Sequence, residues 1–117
     1  MSTVQIVTST VGIQGPPGIG TFVSISGTSY VLGEADRSKV FRFSNASGVT
    51  VTVPLGLSSS FDCMLVQTGA GQVTVSGVSG VTINAALSAT KTAYQYAVAT
   101  LLPIDTDVFI LSGEVTA

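Results

Sequence analysis

The sequence predicts an all-β protein, an antiparallel β-sandwich or barrel-like domain with an extended N-terminal arm, and three observations carry that reading. From Thr21 onward apolar residues recur with a period of two, as they do when alternate side chains of a strand face a core. Clusters of Gly, Ser, Asn, Asp and Pro interrupt these runs at short intervals, the spacing expected of many short strands. Helical periodicity is almost absent. Only residues 85 to 93, Ala-Ala-Leu-Ser-Ala-Thr-Lys-Thr-Ala, suit a short helical turn, and they read better as a loop.

The chain divides into an arm, residues 1 to 20, and a domain, residues 21 to 117. The first eleven residues alternate weakly, with Val4 and Ile6 as the apolar points. A solitary strand of this kind has no partner of its own, so these two residues are expected to anchor the arm on another surface. Glycines at 12, 15 and 18, with Pro16 and Pro17 between them, then separate the arm from the domain.

Within the domain, Phe41 and Phe43 flank Arg42, and Val49, Val51 and Val53 alternate with Thr50 and Thr52. Phe61, Cys63 and Leu65 alternate with Asp62 and Met64, while Val73 and Val75 flank Thr74, and Val81 and Ile83 flank Thr82. Each is a half-buried strand. The runs at 94 to 101, with Tyr94, Tyr96 and Val98 in alternation, and at 108 to 111 are apolar on both faces, as central or interface strands are. Turns are expected at Ser44-Asn45-Ala46-Ser47-Gly48, Pro54-Leu55-Gly56, Ser76-Gly77-Val78-Ser79-Gly80 and Pro103-Ile104-Asp105-Thr106-Asp107, and a hairpin at Gly69-Ala70-Gly71.

Composition restricts the function. Charged residues make up 9% of the chain, against about a quarter in soluble proteins at large, and fifteen Ser and fifteen Thr supply most of the polarity. The four cations, Arg37, Lys39, Arg42 and Lys91, are too few to neutralise a run of phosphates, so nucleic acid is not an expected partner. Arg37, Lys39 and Arg42 lie beside Glu34 and Asp36 and read as a solvated strand edge. No run reaches the ~18 apolar residues of a membrane span, and the N-terminus lacks the pattern of a secretory signal.

No chemistry-bearing constellation is legible. Histidine is absent, the six carboxylates are scattered, and no base accompanies Cys63, which reads as a core residue. Asp105 and Asp107 alone fall short of the six to eight oxygens of a calcium site. Gly69-Ala70-Gly71 lacks the lysine and the helix of a phosphate cradle, and Asn45-Ala46-Ser47 reads as a turn. An enzyme is not expected, nor is any cofactor or metal.

The Gly12, Gly15 and Gly18 triplets are the sharpest local signal, because three polyproline-type strands wind together only where the residue at the axis lacks a side chain. Nine such residues span roughly 28 Å at about 3.1 Å each, too short to hold three chains alone. Gly12, Gly15, Pro16, Pro17 and Gly18 are therefore candidate trimer contacts, with a stiff Pro/Gly linker in a monomer as the alternative.

From about Tyr30 to the C-terminus the chain resembles small β domains of tailed-bacteriophage virions, the capsid decoration or cement proteins and the head- and tail-fibre modules. The matching pieces are Gly33-Glu34-Ala35-Asp36-Arg37-Ser38-Lys39-Val40-Phe41-Arg42-Phe43, Val49-Thr50-Val51-Thr52-Val53-Pro54, Gly69-Ala70-Gly71-Gln72-Val73-Thr74-Val75, Gly80-Val81-Thr82-Ile83-Asn84, Tyr94-Gln95-Tyr96-Ala97-Val98-Ala99-Thr100-Leu101 and Phe109-Ile110-Leu111-Ser112-Gly113-Glu114. The resemblance implies a structural role in a virion, commonly as a homotrimer bound to the major capsid protein or another virion protein. The short chain, with no receptor-binding tip after Ala117, favours a knob on the capsid surface that stabilises the shell. A fibre module or adaptor is the second reading. A carbohydrate-binding β-sandwich is a weaker third, with Tyr30, Tyr94 and Tyr96 as its wet aromatics.

Overall fold

The computed structural model describes residues 21–117. Eleven strands form two sheets within them. In chain order they are β1 (Phe22–Ile25), β2 (Ser29–Val31), β3 (Lys39–Phe43), β4 (Val49–Val53), β5 (Cys63–Gln67), β6 (Val73–Gly77), β7 (Thr82–Asn84), β8 (Lys91–Thr92), β9 (Val98–Asp105), β10 (Val108–Gly113) and β11 (Val115–Thr116). The six-stranded sheet runs β1-β3-β5-β9-β10-β7, and the five-stranded sheet runs β11-β8-β6-β4-β2.

The all-β expectation stands; the antiparallel sandwich or barrel does not. β1, β3 and β5 pair in parallel, and so do β2, β4 and β6 in the other sheet. Each of β1, β3 and β5 thus leads through a corner to the next strand in the opposite sheet, and the chain returns one level further along. This is solenoid-like stacking. Antiparallel pairing begins only at the end of the stack, where β9 covers β5, β10 covers β9, β8 covers β6 and β11 covers β8.

Parallel stacking places like residues above like along the interior. Val23, Phe41, Leu65 and Ala99 form one ladder, Tyr30, Val51 and Val75 another, and Val49 stands on Val73. The two sheets meet over these residues, and Phe41, Phe43, Val51, Phe61, Leu65, Leu101 and Phe109 are wholly or almost wholly buried. Phe41 packs on Tyr30 and on Phe43, with ring centroids 5.3 and 6.2 Å away, and Phe61 meets Phe109 edge to face at 6.4 Å. Such pairs add modestly to the burial of apolar area that drives the fold.

The corners correct the predicted hairpin at Gly69-Ala70-Gly71. That segment turns the chain from β5 in one sheet to β6 in the other, and it lies directly on the preceding corner. Asn45 ties three successive corners together. Its side-chain amide donates to the Ser26 carbonyl at 2.7 Å, its Oδ1 accepts from the Ser47 N–H at 2.7 Å, and its carbonyl accepts from the Gly71 N–H at 2.9 Å. The turn reading of Asn45-Ala46-Ser47 therefore holds, as an Asx turn.

Two other boundaries move. Residues 94 to 97 are a turn rather than strand, because Tyr96 takes a left-handed φ of 67°, and the strand begins at Val98. It then continues through Pro103 to Asp105, with a register shift between those two residues, so the predicted turn shrinks to Thr106 and Asp107. Proline is tolerated there because the irregularity removes a regular ladder position. The loop at residues 85 to 93 holds a single 3-10 turn, Ala86–Ser88, and the short strand β8.

One buried polar chain locks the end of the stack. Thr92 Oγ1 accepts from the Val73 N–H at 2.9 Å and donates to Gln67 Oε1, while Gln67 Nε2 donates to the Gly69 carbonyl at 3.1 Å. Thr92→Val keeps the shape and orphans both the Val73 N–H and Gln67 Oε1. It is expected to cost about 2 kcal/mol, seen as a lower denaturation midpoint at unchanged slope. A midpoint equal to that of the parent protein would show that this chain does not hold β8 in place.

Candidate functional site

The outer faces of the two sheets differ in chemistry. On the five-stranded sheet, Ser29, Thr50, Thr74, Lys91 and Thr116 are paired across all five strands, and Val31, Thr52 and Ser76 form the next row. Apart from Val31, these are hydroxyls and one ammonium, groups at ease in water. On the six-stranded sheet the outward rows are Phe22, Val40, Met64, Thr100 and Ser112, of which Val40 is itself buried, then Ser24, Arg42, Val66 and Val98, and then Leu102, Ile110 and Asn84. Phe22 is 59% exposed and Leu102 41% exposed. A contiguous apolar face of this kind is the usual mark of a contact surface.

Arg42 is the one cation of those rows. Its guanidinium lies 5.3 Å from the centre of the Phe22 ring and donates to Ser24 Oγ at 2.9 Å, which holds it across β1. Arg42 is exposed as expected, although β3 is an interior strand and the sheet edge is β1. Asp62 stands one residue before β5, in the same outward alternation as Met64 and Val66, and its Oδ1 accepts from Ser38 Oγ at 3.0 Å.

The edge formed by β1 and β2 is the second distinctive surface. Neither Phe22–Ile25 nor Ser29–Val31 contains the proline, lysine or bulge that usually blunts an exposed strand edge. Residue 21, where the described residues begin, directly precedes β1.

The return corner at residues 33 to 38 is built from carboxylates used structurally. Asp36 accepts from the Tyr30 hydroxyl at 3.0 Å and from the Gly33 N–H at 2.9 Å. Tyr30 therefore points into the core rather than to solvent, which removes it from the predicted wet aromatics; burial and this bond raise its pKa. Glu34 accepts from the Ser58 N–H at 2.8 Å and from Ser58 Oγ at 2.7 Å, and these bonds, led by the backbone one, lower its pKa. Tyr94 and Tyr96 are exposed. The Tyr94 hydroxyl donates to Glu114 at 2.9 Å, which raises the phenol, while Glu114 is lowered by the Val98 N–H and then by Tyr94.

Cys63 is buried, and burial, followed by the nearby carboxylates of Asp62 and Asp36, pushes its thiol up to about 12. It is a protonated core residue at neutral pH. Asp105 Oδ1 accepts from the Thr106 N–H at 2.7 Å, and Asp107 Oδ1 accepts from the Gly56 N–H at 2.9 Å. Among the described residues no three His, Cys, Asp or Glu side chains gather as a metal site requires, no pocket is found, and no helix is long and apolar enough to cross a membrane.

The predicted anchor residues Val4 and Ile6 and the predicted trimer contacts Gly12, Gly15, Pro16, Pro17 and Gly18 lie outside the described residues. The two-sided apolar runs at 94 to 101 and 108 to 111 mark part of the outer face in the sequence, while Met64 and Val66 beside Leu65 carry a signal that the alternation of Phe61, Cys63 and Leu65 hides. Scans against protein-family models, curated proteins and solved structures returned no match, so the surfaces themselves carry the functional argument.

Proposed function

We propose that this chain is a structural protein of a tailed-bacteriophage particle, a capsid decoration protein that binds the head surface as a homotrimer and stabilises the shell. The observation that carries the proposal is the division of labour between the two faces. One is covered in hydroxyls, and the other keeps apolar side chains at the surface of a stack with no pocket among its described residues. Such a body works by being packed against. Its contacts bury apolar area and add strand hydrogen bonds to neighbouring subunits, which is how a small rigid domain reinforces a shell. The arm at residues 1 to 20 is the anchor and the stack is the displayed part. The resemblance in sequence to virion β domains points the same way.

A head- or tail-fibre module is the second reading, favoured by the open β1 and β2 edge, on which further levels can stack. A carbohydrate-binding role rests on Tyr94 and Tyr96 alone and is the weakest of the three.

Deleting residues 1 to 20 is expected to leave a soluble β domain that no longer co-sediments with phage heads. Gly15→Val in the full chain is expected to weaken attachment, because a side chain has no room where three chains meet. Heads still fully occupied by the truncated protein would place the anchor in the domain and overturn that assignment.

A further inference from the structure

We propose that the outer face of the six-stranded sheet is buried against further copies of this chain, related by rotation about the stacking direction, with Arg42 of one copy on Asp62 of the next. The inference deepens the homotrimer reading and rests on it. The occupant follows from the two charges on and beside this face. Val66 is the register partner of Arg42, and Asp62 lies four residues before Val66, so the two charges are about 13 Å apart along the strands and one strand spacing, about 4.8 Å, apart across them. Arg42 is near the end of its parallel strand and Asp62 just ahead of the start of the neighbouring one.

A rotation about the stacking direction carries the strand-end side of one face onto the strand-start side of the next copy. Arg42, swung from Ser24 on β1 towards the level of β5, then reaches Asp62 of the next copy across an offset of one strand spacing, about 4.8 Å. The apolar groups between them, Met64, Val66, Val98, Leu102 and Ile110, meet their own kind. Three such contacts close a ring, because each copy offers its cationic side to one neighbour and its anionic side to the other. The rows contain no second cation to oppose this closure. An unrelated partner would have to supply this same pattern of one anion, one cation and an apolar centre; a second copy supplies it by construction.

The full-length protein is examined by sedimentation and light scattering. Val66→Glu is expected to raise the dissociation constant of the assembly at least about tenfold, since it places an unpaired carboxylate in the contact. Thr74→Glu, on the hydroxyl face, is expected to leave the mass unchanged. Arg42→Asp and Asp62→Arg are each expected to weaken the assembly, and the double exchange to restore it, which separates a contact across copies from a loss of fold. A stable trimer indifferent to Val66→Glu and to both charge reversals would overturn this face as the interface and leave the trimer itself standing. Assembly lost only on deletion of residues 1 to 20 would do the same and assign the contact to the arm. A single-chain mass for the parent protein at micromolar concentration would overturn both the face and the trimer.

Discussion

Gly71→Ala is expected to destabilise the domain by about 3 kcal/mol or more, enough to lower the melting temperature by over ~12 °C in a domain of this size. A Cβ at Gly71 would run into the Ser47 carbonyl oxygen, with the Asn45 carbonyl oxygen 2.8 Å away. Neither is the tip of a flexible side chain; both are backbone of the level below. Relief requires the two corners to part, which strains the Gly71 N–H bond to Asn45 and the Val49 N–H bond to Gln72, both 2.9 Å. Gly48→Ala is the matched control, because its Cβ would meet nothing closer than the Gln72 carbonyl at 3.7 Å. That change is expected to stay within about 0.5 kcal/mol of the parent, since losing a glycine also restricts the unfolded chain. Thermal melts of the two variants side by side test the stacking directly. Equal melting temperatures would mean that the corners do not rest on one another.

The same corners explain why the strands were legible and their arrangement was not. Val49–Val53 alternates in sequence and does so in the sheet, because burial of one face forces a period of two whatever the direction of the neighbouring strand. Period two is silent on parallel against antiparallel pairing. A short Gly-rich break such as Gly69-Ala70-Gly71 suits a hairpin and suits equally a corner that passes the chain to the opposite sheet. The feature that separates them is a repeat, and here it is masked by uneven levels. Phe22 pairs with Val40 and Val40 with Met64, offsets of 18 and 24 residues, while Ser29, Thr50 and Thr74 are offset by 21 and 24.

Where the chain departs from local propensity, the reading failed for a physical reason. Tyr96 adopts a left-handed φ that tyrosine rarely takes, and its N–H donates to the Gln67 carbonyl, so the tertiary bond overrides the alternating pattern around it. The contact surface was half legible. Residues 108 to 111 read as apolar on both faces from sequence alone, but the alignment of Phe22, Val40 and Met64 with Thr100 is a property of register, which no single strand contains.

Raising the pH above 9 is expected to erode stability, and Cys63→Ala is expected to abolish most of that erosion below pH 10. Burial holds the Cys63 thiol at about 12, against an ordinary value of 9.0. The folded state therefore binds this proton more tightly than the unfolded chain does. A raised pKa contributes its stability in full below the unfolded value and loses it as the pH climbs towards the folded one, so the window runs from 9.0 to about 12. Within it the loss approaches about 1.4 kcal/mol per pH unit and reaches roughly 2–3 kcal/mol by pH 11. The raised pKa values of Tyr30 and Tyr94 work in the same sense, but their ordinary value is 10.0, so the interval from pH 9 to 10 belongs chiefly to the thiol. Cys63→Ala lowers stability at pH 7 by about 1–3 kcal/mol through the truncated core contact, and its curve should then run nearly flat from pH 9 to 10. Denaturation midpoints of both proteins at pH 7, 9, 10 and 11 supply the comparison. Parallel curves would mean that Cys63 ionises as readily folded as unfolded, which its place beneath Leu101 and beside Phe61 does not allow.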